Sequence, residues 1–298
     1  MKNGQFRPRL TAEENLIIQA YKNGWRPDMT DMPQTDAKGV RKSPAKILVF
    51  DVETAPLRSY TWGLWDQNVQ TGQILSDWFM LTWSAKWLFE DEVFSDKLTS
   101  EEALGEDDKR ITESIWHLLN EADIIIAHNA NKFDVKKLNT RFLLNGLNPP
   151  MPYQVIDTLT HLRNKFSISS NKLDYVNDLL GIGRKMDTGG FPLWDGCMKG
   201  DADSLKKMEE YNIVDVEILE ETYLRIRPWI NPHPNLGLFI EDDIDVCPSC
   251  ASENLAFGGT PYRTGAAAYA SFRCTDCGST GRSKKSIHKM STTRSTNK

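Results

Sequence analysis

The distribution of apolar residues along the chain changes at about residue 46. Before that point the chain is polar and punctuated by prolines, and its pattern predicts one helix, at 11–23. There Thr11 and Glu14 have the spacing of a capping box, and apolar residues follow at helical intervals. One short helix buries too little surface to fold alone. We therefore interpret residues 1–45 as an arm that packs on a larger domain or helps to bind a partner.

From residue 46 onward, apolar runs with strand and helix periodicity follow one another densely, which predicts an α/β domain. The run at 47–50 predicts a buried strand that ends on Asp51, and the aromatic-rich stretch at 78–89 fits the next strands of a meander. The same reasoning predicts a strand at 124–127, helices at 106–120, 135–144, 173–180 and 204–225, and a loop with two aromatic side chains at 189–194. Gly146 ends the helix at 135–144.

Near the C-terminus the composition changes again. Three prolines fall between residues 228 and 234, and Cys, Gly, Ser and Thr then dominate. Such a change is typical of a domain boundary. The sequence therefore predicts five parts: an arm at 1–45, the α/β domain at 46–228, a linker at 229–245, a small cysteine-bearing domain at 246–281, and a basic disordered tail at 282–298.

Composition and charge restrict the class of protein. A chain of 298 residues with 40% hydrophobic residues can bury a substantial core, whereas a net charge of −5 argues against a protein that coats nucleic acid nonspecifically. The sequence has neither an apolar run long enough to span a bilayer nor the apolar core of a signal peptide, so we expect a cytoplasmic location and no membrane partner. The last seventeen residues contain six Lys and Arg and no acid, as a solvated end or a weak phosphate-binding segment would.

Two carboxylates follow the first predicted strand. Because side chains alternate along a strand, Asp51 and Glu53 project from the same face. Neighbouring carboxylates repel each other unless a cation neutralises them, and hard divalent cations prefer such oxygen ligands. The alternative is that one of the two caps the following turn and the other is solvated.

Two further segments carry candidate acids. Asp134 stands where a predicted strand and loop run into a helix, a position at which Asp is also a common cap. Tyr211 and Asp215 are four residues apart on a predicted helix and therefore share a face, which is equally compatible with an incidental surface pair.

Together these segments resemble the DEDD exonuclease superfamily, specifically its tyrosine subclass (DEDDy), which includes the proofreading domain of family B DNA polymerases. The resemblance spans about 46–228. It rests on Asp-x-Glu after a strand, His-Asn-x-x-x-Phe-Asp at a helix start, and Tyr-x-x-x-Asp on a late helix, in that order. Asn171-Lys172-Leu173-Asp174 followed by Leu179-Leu180-Gly181 also resembles the helix before the third motif.

The resemblance implies a ribonuclease H-like fold, with a mixed sheet flanked by helices, and a 3′→5′ exonuclease that hydrolyses phosphodiester bonds at the 3′ ends of nucleic acid, with single-stranded DNA as the expected substrate. It implies two catalytic Mg²⁺ or Mn²⁺ ions. Asp51, Glu53 and Asp215 would hold these ions, Asp134 would complete the cluster directly or through water, and Tyr211 would orient the attacking water.

Residues close to the second motif have less certain roles. Asn129 and Phe133 contact the terminal nucleotide or simply pack in the core. His128 precedes the acid, and Tyr211 occupies the place where the other subclass has its catalytic histidine, so we do not expect His128 to be a ligand or a base. The basic residues Lys136, Lys137, Arg141, Arg184 and Lys185 are candidates for phosphate contacts, although solvated helix faces are the commoner explanation.

Four of the five cysteines form two Cys-x-x-Cys pairs, Cys247 with Cys250 and Cys274 with Cys277. Four thiolates in two such turns satisfy tetrahedral Zn²⁺, and the segment is too small to fold without such a staple. The pattern resembles zinc ribbons in general. A redox dithiol is the alternative, but it would need only one pair. The aromatic and basic residues of the segment suit either nucleic acid or a protein partner in replication or repair.

Taken together, the sequence predicts a free-standing exonuclease domain with a C-terminal zinc ribbon. Two alternatives stay open: a noncatalytic nucleic-acid-binding subunit on the same fold, and an endonuclease. The sequence leaves the choice between DNA and RNA open as well, because that choice depends on contacts to the 2′ position that no motif here reports. The size and mosaic build of the chain are compatible with a bacteriophage origin, in which case the location is the host cytoplasm.

Overall fold

The computed structural model describes residues 45–183, 186–240 and 244–287. The predicted helix at 11–23 and the candidate phosphate ligands Arg184 and Lys185 lie outside these residues. The chain divides into two compact units, one formed by Lys46–Tyr223 and a second that includes the chain from Leu224 onward. Each unit is described by itself.

The first unit is built on a five-stranded mixed sheet. Its strands are β1 (Ile47–Thr54), β4 (Met80–Trp87), β5 (Val93–Lys97), β6 (Ile124–Ala127) and β7 (Gln154–Asp157), in the spatial order β5-β4-β1-β6-β7. The pairs β1–β4 and β4–β5 are antiparallel, and β1–β6 and β6–β7 are parallel. Two short strands, β2 (Arg58–Ser59) and β3 (Ile74–Ser76), pair with each other in the connection between β1 and β4.

Strand β1 lies at the centre of this sheet because it is apolar on both faces. Ile47, Leu48, Val49 and Phe50 are all buried, as are all four residues of β6 beside it. Such continuous apolar runs are typical of strands that are covered on both sides. The predicted strand at 124–127 is confirmed. Strand β1 continues past Asp51 to Thr54, because its outer half still pairs with β4, with Glu53 opposite Thr82.

Helices flank the sheet. Those of the first unit, in chain order, are α1 (Ser100–Gly105), α2 (Lys109–Glu121), α3 (Asp134–Leu144), α4 (Thr158–Lys165), α5 (Leu173–Leu180), α6 (Phe191–Met198) and α7 (Ala202–Ile226), which runs on into the second unit. The predicted helix at 106–120 is wrong at its start, because Glu106 adopts a left-handed conformation with φ 54° that caps α1. Helix α2 then places Ile111, Ile115 and Leu119, all fully buried, on one face.

Two parts of this unit differ from the sequence-based prediction. The loop expected at 189–194 is wrong, because the segment from Phe191 onward forms helix α6. Pro192 lies in the first turn of this helix. Backbone N–H groups there have no partner within the helix, so proline, which lacks an N–H, loses no hydrogen bond. Strand β7 and helix α4 were not predicted. Asp157 ends β7, and its carboxylate accepts a hydrogen bond from the Thr160 backbone N–H. Asp157 therefore caps the N-terminus of α4.

The second unit contains a small antiparallel sheet formed by β8 (Leu255–Phe257), β9 (Tyr262–Arg263), β10 (Ala268–Cys274) and β11 (Thr280–Ser286). Strand β10 pairs with each of the other three. Gly281 lies opposite Phe272, and a Cβ there would come within 2.3 Å of the phenyl ring, so a larger residue would displace the ring. The predicted boundary at 281 is too early, because residues 282–286 belong to β11 instead of a disordered tail.

Among the described residues, no helix combines the length and the apolar character that crossing a membrane requires.

Candidate active site

Three carboxylates converge at the end of strand β1. Asp51 and Glu53 leave the same face of the strand. Asp215, which follows Asp51 by 164 residues along the chain, approaches from helix α7. One oxygen from each side chain lies within 4.8 Å of the other two. Three negative charges at this separation repel one another strongly, and a divalent cation would relieve that repulsion. The donor set therefore fits a hard metal ion.

Helix α7 presents its part of the site through three residues of two successive turns. Asp215 is 1% exposed, Tyr211 lies one turn earlier on the same side, and Asn212 is fully buried between them. The Asn212 side-chain N–H donates a hydrogen bond of 2.6 Å to Asp51 Oδ2. The amide therefore fixes one carboxylate of the cluster from the helix that supplies another.

Asp134 is the first residue of helix α3 and is also 1% exposed. It borders the same pocket, but it is not one of the three acids whose oxygens lie within 4.8 Å of one another. Burial and, after it, the negative charges of Asp51, Glu53 and Asp157 raise the pKa of Asp134 well above its ordinary value. Its Oδ2 atom is buried without a hydrogen-bond partner among the described residues, as expected of an oxygen that serves a cation or a water molecule.

The loop before Asp134 is held by Asp157. Asn129 has φ 80°, a left-handed conformation that Asn tolerates better than most residues. The Asp157 carboxylate accepts hydrogen bonds from the backbone N–H groups of Asn129 (3.1 Å) and Asn131 (3.3 Å). The Asn129 carbonyl in turn accepts from the Phe133 N–H at 2.9 Å. The carboxylate at the end of β7 thus fixes the loop that carries Asn129 and Phe133.

A pocket of about 630 Å³ brings the predicted residues together. It is lined by Asp51, Glu53, Asn129, Phe133, Asp134, Tyr211 and Asp215, with Val52, His128, Leu159, Arg163 and the segment 169–174 completing the wall. The Phe133 ring is 38% exposed, and the Lys137 ammonium lies 5.5 Å from its centroid and 3.5 Å from that of Trp78. The structure therefore places all seven predicted carboxylate, tyrosine and substrate-contacting residues in one pocket.

His128 borders the pocket, but both of its ring nitrogens lie within hydrogen-bond distance of other protein atoms. Nδ1 lies 3.0 Å from Thr158 Oγ1, and Nε2 lies 2.9 Å from the Asn171 carbonyl oxygen. Because a carbonyl only accepts, Nε2 carries the proton and donates it. These contacts fit a histidine that ties the segment before α5 to the strand end, and they agree with the expectation that it is not a ligand.

The candidate phosphate ligand Arg141 is engaged within the fold. Its guanidinium donates a 2.5 Å hydrogen bond to Asp108, whose side chain is fully buried. The same carboxylate accepts from the Met80 backbone N–H at 2.8 Å. Arg141 therefore neutralises a buried charge at the start of β4, and we exclude it from the candidate site.

In the second unit, the four paired cysteines form a cluster. Cys247 Sγ lies 3.6 Å from Cys277 Sγ, and Cys250 Sγ lies 3.6 Å from Cys274 Sγ, so each cysteine of the first pair contacts one of the second. All four sulfurs lie within 4.8 Å of one another. Each pair is followed by a left-handed residue, Ala251 at φ 58° and Gly278 at φ 80°. The cluster is compatible with a zinc ribbon, because four converging thiols in two turns suit a tetrahedral ion.

Sequence reasoning missed two residues of the candidate site. Asn212 is an Asn in the middle of a helix, where its propensity is low, and it falls on the apolar stripe of that helix. Asp157 follows a short apolar run and precedes Thr158, which is the pattern of a helix cap. Both signals were present in the sequence, but neither one identifies the atom that the side chain contacts.

Two comparisons with known proteins found similar proteins. A family model described as the RNase_H superfamily matches residues 48–226. One solved structure that matches is that of the family B DNA polymerase from the hyperthermophilic archaeon Pyrobaculum calidifontis, with 17% sequence identity over 62% of this chain and a TM-score of 0.47. The match covers 25% of the polymerase chain. No curated protein sequence matches.

Proposed function

Because the chain belongs to the RNase H superfamily, we propose that it is a metal-dependent 3′→5′ exonuclease. The observation that carries the proposal is the convergence of Asp51, Glu53 and Asp215 in a pocket that Asp134 and Tyr211 also line. In this proposal the four acids and the tyrosine are the catalytic residues, and Asn129 and Phe133 contact the terminal nucleotide.

The acids would hold two Mg²⁺ or Mn²⁺ ions. Asp51, Glu53 and Asp215 are the ligands, and Asp134, with its unsatisfied buried oxygen, completes the set directly or through water. When bound, such ions lower the pKa of water and stabilise the departing 3′ oxygen. The protein keeps the carboxylates in place before the ions arrive, since the Asn212 amide fixes Asp51.

Tyr211 would orient the attacking water by a hydrogen bond. Phenols generally lose their proton near pH 10, about three pH units above neutrality, which makes them poor bases and favours a role in orientation. The half-exposed Phe133 ring offers a stacking surface for the last base, and Lys137 beside it offers a cation for a phosphate. An aromatic ring and an acid cluster within one pocket, with a cation next to the ring, support a substrate that ends there.

The proposal extends to the arrangement of the chain. An exonuclease domain at 46–228 would be followed by a linker and a ribbon in which Cys247, Cys250, Cys274 and Cys277 hold a structural Zn²⁺ ion. Metal analysis of the purified chain would test the ion. We expect about one zinc per chain, and we expect Cys250→Ser to lose it, since three thiolates bind zinc more weakly than four. Zinc retained at full stoichiometry by the variant would contradict the assignment.

Degradation of a 5′-labelled single-stranded DNA and of its RNA counterpart would test the exonuclease. With Mg²⁺ or Mn²⁺ we expect a ladder that shortens from the 3′ end, and with Asp215→Asn no ladder. Glu217→Gln is the matched control, because this acid lies two residues further along the same helix on its exposed face. A circular single strand distinguishes the rival activity, since it has no 3′ end and only an endonuclease opens it.

The outcomes separate the candidate functions. Opening of the circle would replace the exonuclease by an endonuclease at the same site. If neither substrate is cut with either metal while the chain still binds the strand, the protein is a nucleic-acid-binding subunit. Full activity of Asp215→Asn would show that the assigned acids are not the site.

A further inference from the structure

The ribbon sheet has one face that its own core does not use. Along β10 the side chains of Ala268, Phe272 and Cys274 are buried, so Tyr269, Ser271 and Arg273 point to the opposite side. The exposed ring of Phe257 belongs to the core side as well, because it lies opposite Phe272 and 5.5 Å from its ring. The solvent side is therefore aromatic and basic.

Two tyrosines and an arginine on this solvent side form a contiguous surface. Tyr262 pairs with Tyr269 across β9 and β10, and Arg282 pairs with Ser271 across β10 and β11. The Arg282 guanidinium lies 3.9 Å from the centre of the Tyr269 ring and 5.5 Å from that of Tyr262. Stacking on the rings holds the guanidinium in place and leaves its edge available for hydrogen bonds. We call Tyr262, Tyr269, Arg273 and Arg282 the ribbon face.

The charge of the ribbon is opposite to that of the whole chain. Between residues 246 and 287 the sequence contains five Lys and Arg and two acids, Glu253 and Asp276, a net charge of +3 in a chain of −5. Asp276 is engaged by Ser252 and Asn254. Lys284 and Lys285, both exposed, continue the positive charge along β11. Such local charge favours a polyanionic ligand.

We propose that the ribbon face is a second binding site for a single strand of nucleic acid. Exposed tyrosine rings stack on unpaired bases whatever their sequence, and the arginines and lysines contact phosphates. A duplex keeps its bases stacked inside and cannot use the tyrosines. The site shares its substrate class with the proposed exonuclease, and in that respect it rests on the proposed function.

Binding of a fluorescent single strand to the full chain, without added Mg²⁺ or Mn²⁺ so that the strand is not cut, tests the phosphate contacts. The variant carries Arg282→Gln, Lys284→Gln and Lys285→Gln. The matched control carries Lys109→Gln, Lys199→Gln and Lys206→Gln, three exposed lysines of the first unit that each pair with an acid four residues away along the chain. Both variants lose three positive charges.

We expect only the ribbon variant to lose affinity. Three phosphate contacts to a single strand change the slope of log K against log salt by about 2, which corresponds to a loss on the order of 100-fold at 0.1 M salt that disappears near 1 M. If both variants lose affinity equally, the change in net charge alone explains the loss, and the proposal is overturned. Unchanged binding in the ribbon variant would also overturn it and would favour a protein partner for this face.

The tyrosine contacts have their own test. Tyr262→Ala should weaken binding of single-stranded DNA and RNA by about 5- to 150-fold at all salt concentrations, because stacking is not ionic. Phe257→Ala is the control, since it removes an aromatic ring of similar exposure from the other side of the sheet. A blunt duplex that binds as tightly as the single strand, or an equal loss in Phe257→Ala, would contradict the assignment.

The degradation assay on the same variants separates the two proposals. If wild type degrades the strand while the ribbon variant binds like the control, the ribbon proposal alone fails. If nothing is degraded while the ribbon variant still loses binding, the exonuclease proposal alone fails.

Discussion

Replacing Asp215 by Asn should stabilise the metal-free protein while abolishing the proposed exonuclease activity. The Asp215 carboxylate has an oxygen within 4.8 Å of oxygens of both Asp51 and Glu53. Two unit charges at that distance repel each other by about 3.5 kcal/mol at an effective dielectric constant of about 20. The asparagine side chain has the same shape and no charge, so it removes two of the three repulsive pairs.

The net gain is smaller than this repulsion, because a crowded carboxyl group can instead take up a proton. At pH 7.5 that proton costs up to about 5 kcal/mol for an acid with an ordinary pKa near 4. We therefore expect Asp215→Asn to add on the order of 3 kcal/mol to the free energy of unfolding of the first unit. For a domain of this size, such a change raises the melting temperature by about 6–12 °C.

Thermal unfolding of the full chain measures the difference, in buffer freed of Mg²⁺ and Mn²⁺ without a chelator in the sample. Added Mn²⁺ should stabilise the wild type and so raise its melting temperature. At a Mn²⁺ concentration a hundred times the dissociation constant, the gain in the free energy of unfolding is about 2.7 kcal/mol. The melting temperature of Asp215→Asn should not change. Glu217→Gln should follow the wild type in both buffers. If Asp215→Asn melts at or below the wild type without metal, the three acids do not repel one another as the geometry indicates.

Three other substitutions test the supporting residues. Asp157→Asn removes the charge that holds the loop before Asp134, and we expect kcat to fall by about 10- to 100-fold with a smaller change in KM, measured in the degradation assay. Asn212→Leu removes the hydrogen bond to Asp51, and titration of activity with Mn²⁺ should show a requirement raised by about 10-fold or more. Arg141→Leu leaves a buried carboxylate without its cation, and equilibrium unfolding should show a loss of about 3–5 kcal/mol.

Each of these has a result that would contradict it. Asp174 lines the same pocket but does not hold the loop, so Asp174→Asn should keep full kcat. If kcat falls equally in Asp174→Asn and Asp157→Asn, the loss comes from removing any acid of the pocket and not from releasing the loop. A normal Mn²⁺ requirement in Asn212→Leu would show that Asp51 needs no support. Lys136→Leu lies on the exposed side of α3 and should leave stability unchanged. Weaker strand binding at unchanged stability in Arg141→Leu would restore Arg141 as a phosphate ligand.

The parts of the fold that the sequence predicts are those in which the local pattern decides the structure. The run Ile124–Ala127 is apolar throughout and forms a strand with the predicted bounds, and the apolar spacing and the terminal glycine of Leu173–Leu180 likewise define a helix. Strand β7 escaped prediction because it has only four residues and only two of them are fully buried. Helix α6 escaped because its Gly-Gly-Phe-Pro start favours a loop locally, whereas Leu193 and Cys197 are buried on one side of it.

The candidate site divides in the same way. The five proposed catalytic residues stand in short motifs whose order along the chain identifies them. The roles of Asn212 and Asp157 depend on atoms 161 and 28 residues away, and a local pattern contains no information about such partners. The ribbon lies between these cases, because the spacing of its cysteines is visible in the sequence, while the stacking of Arg282 on two tyrosines depends on strand register.

The distance along the chain between Asp51 and helix α7 also determines when the acid cluster can exist during protein synthesis. A ribosome that adds about 5–20 residues per second needs about 10–30 s to pass from Asp51 to Asn212, its hydrogen-bond partner 161 residues later. Throughout that interval the nascent chain carries Asp51, Glu53 and later Asp134 without the helix that brings them their last partner. The polypeptide therefore emerges beside its own messenger RNA with an incomplete acid cluster, which forms only when the first unit closes.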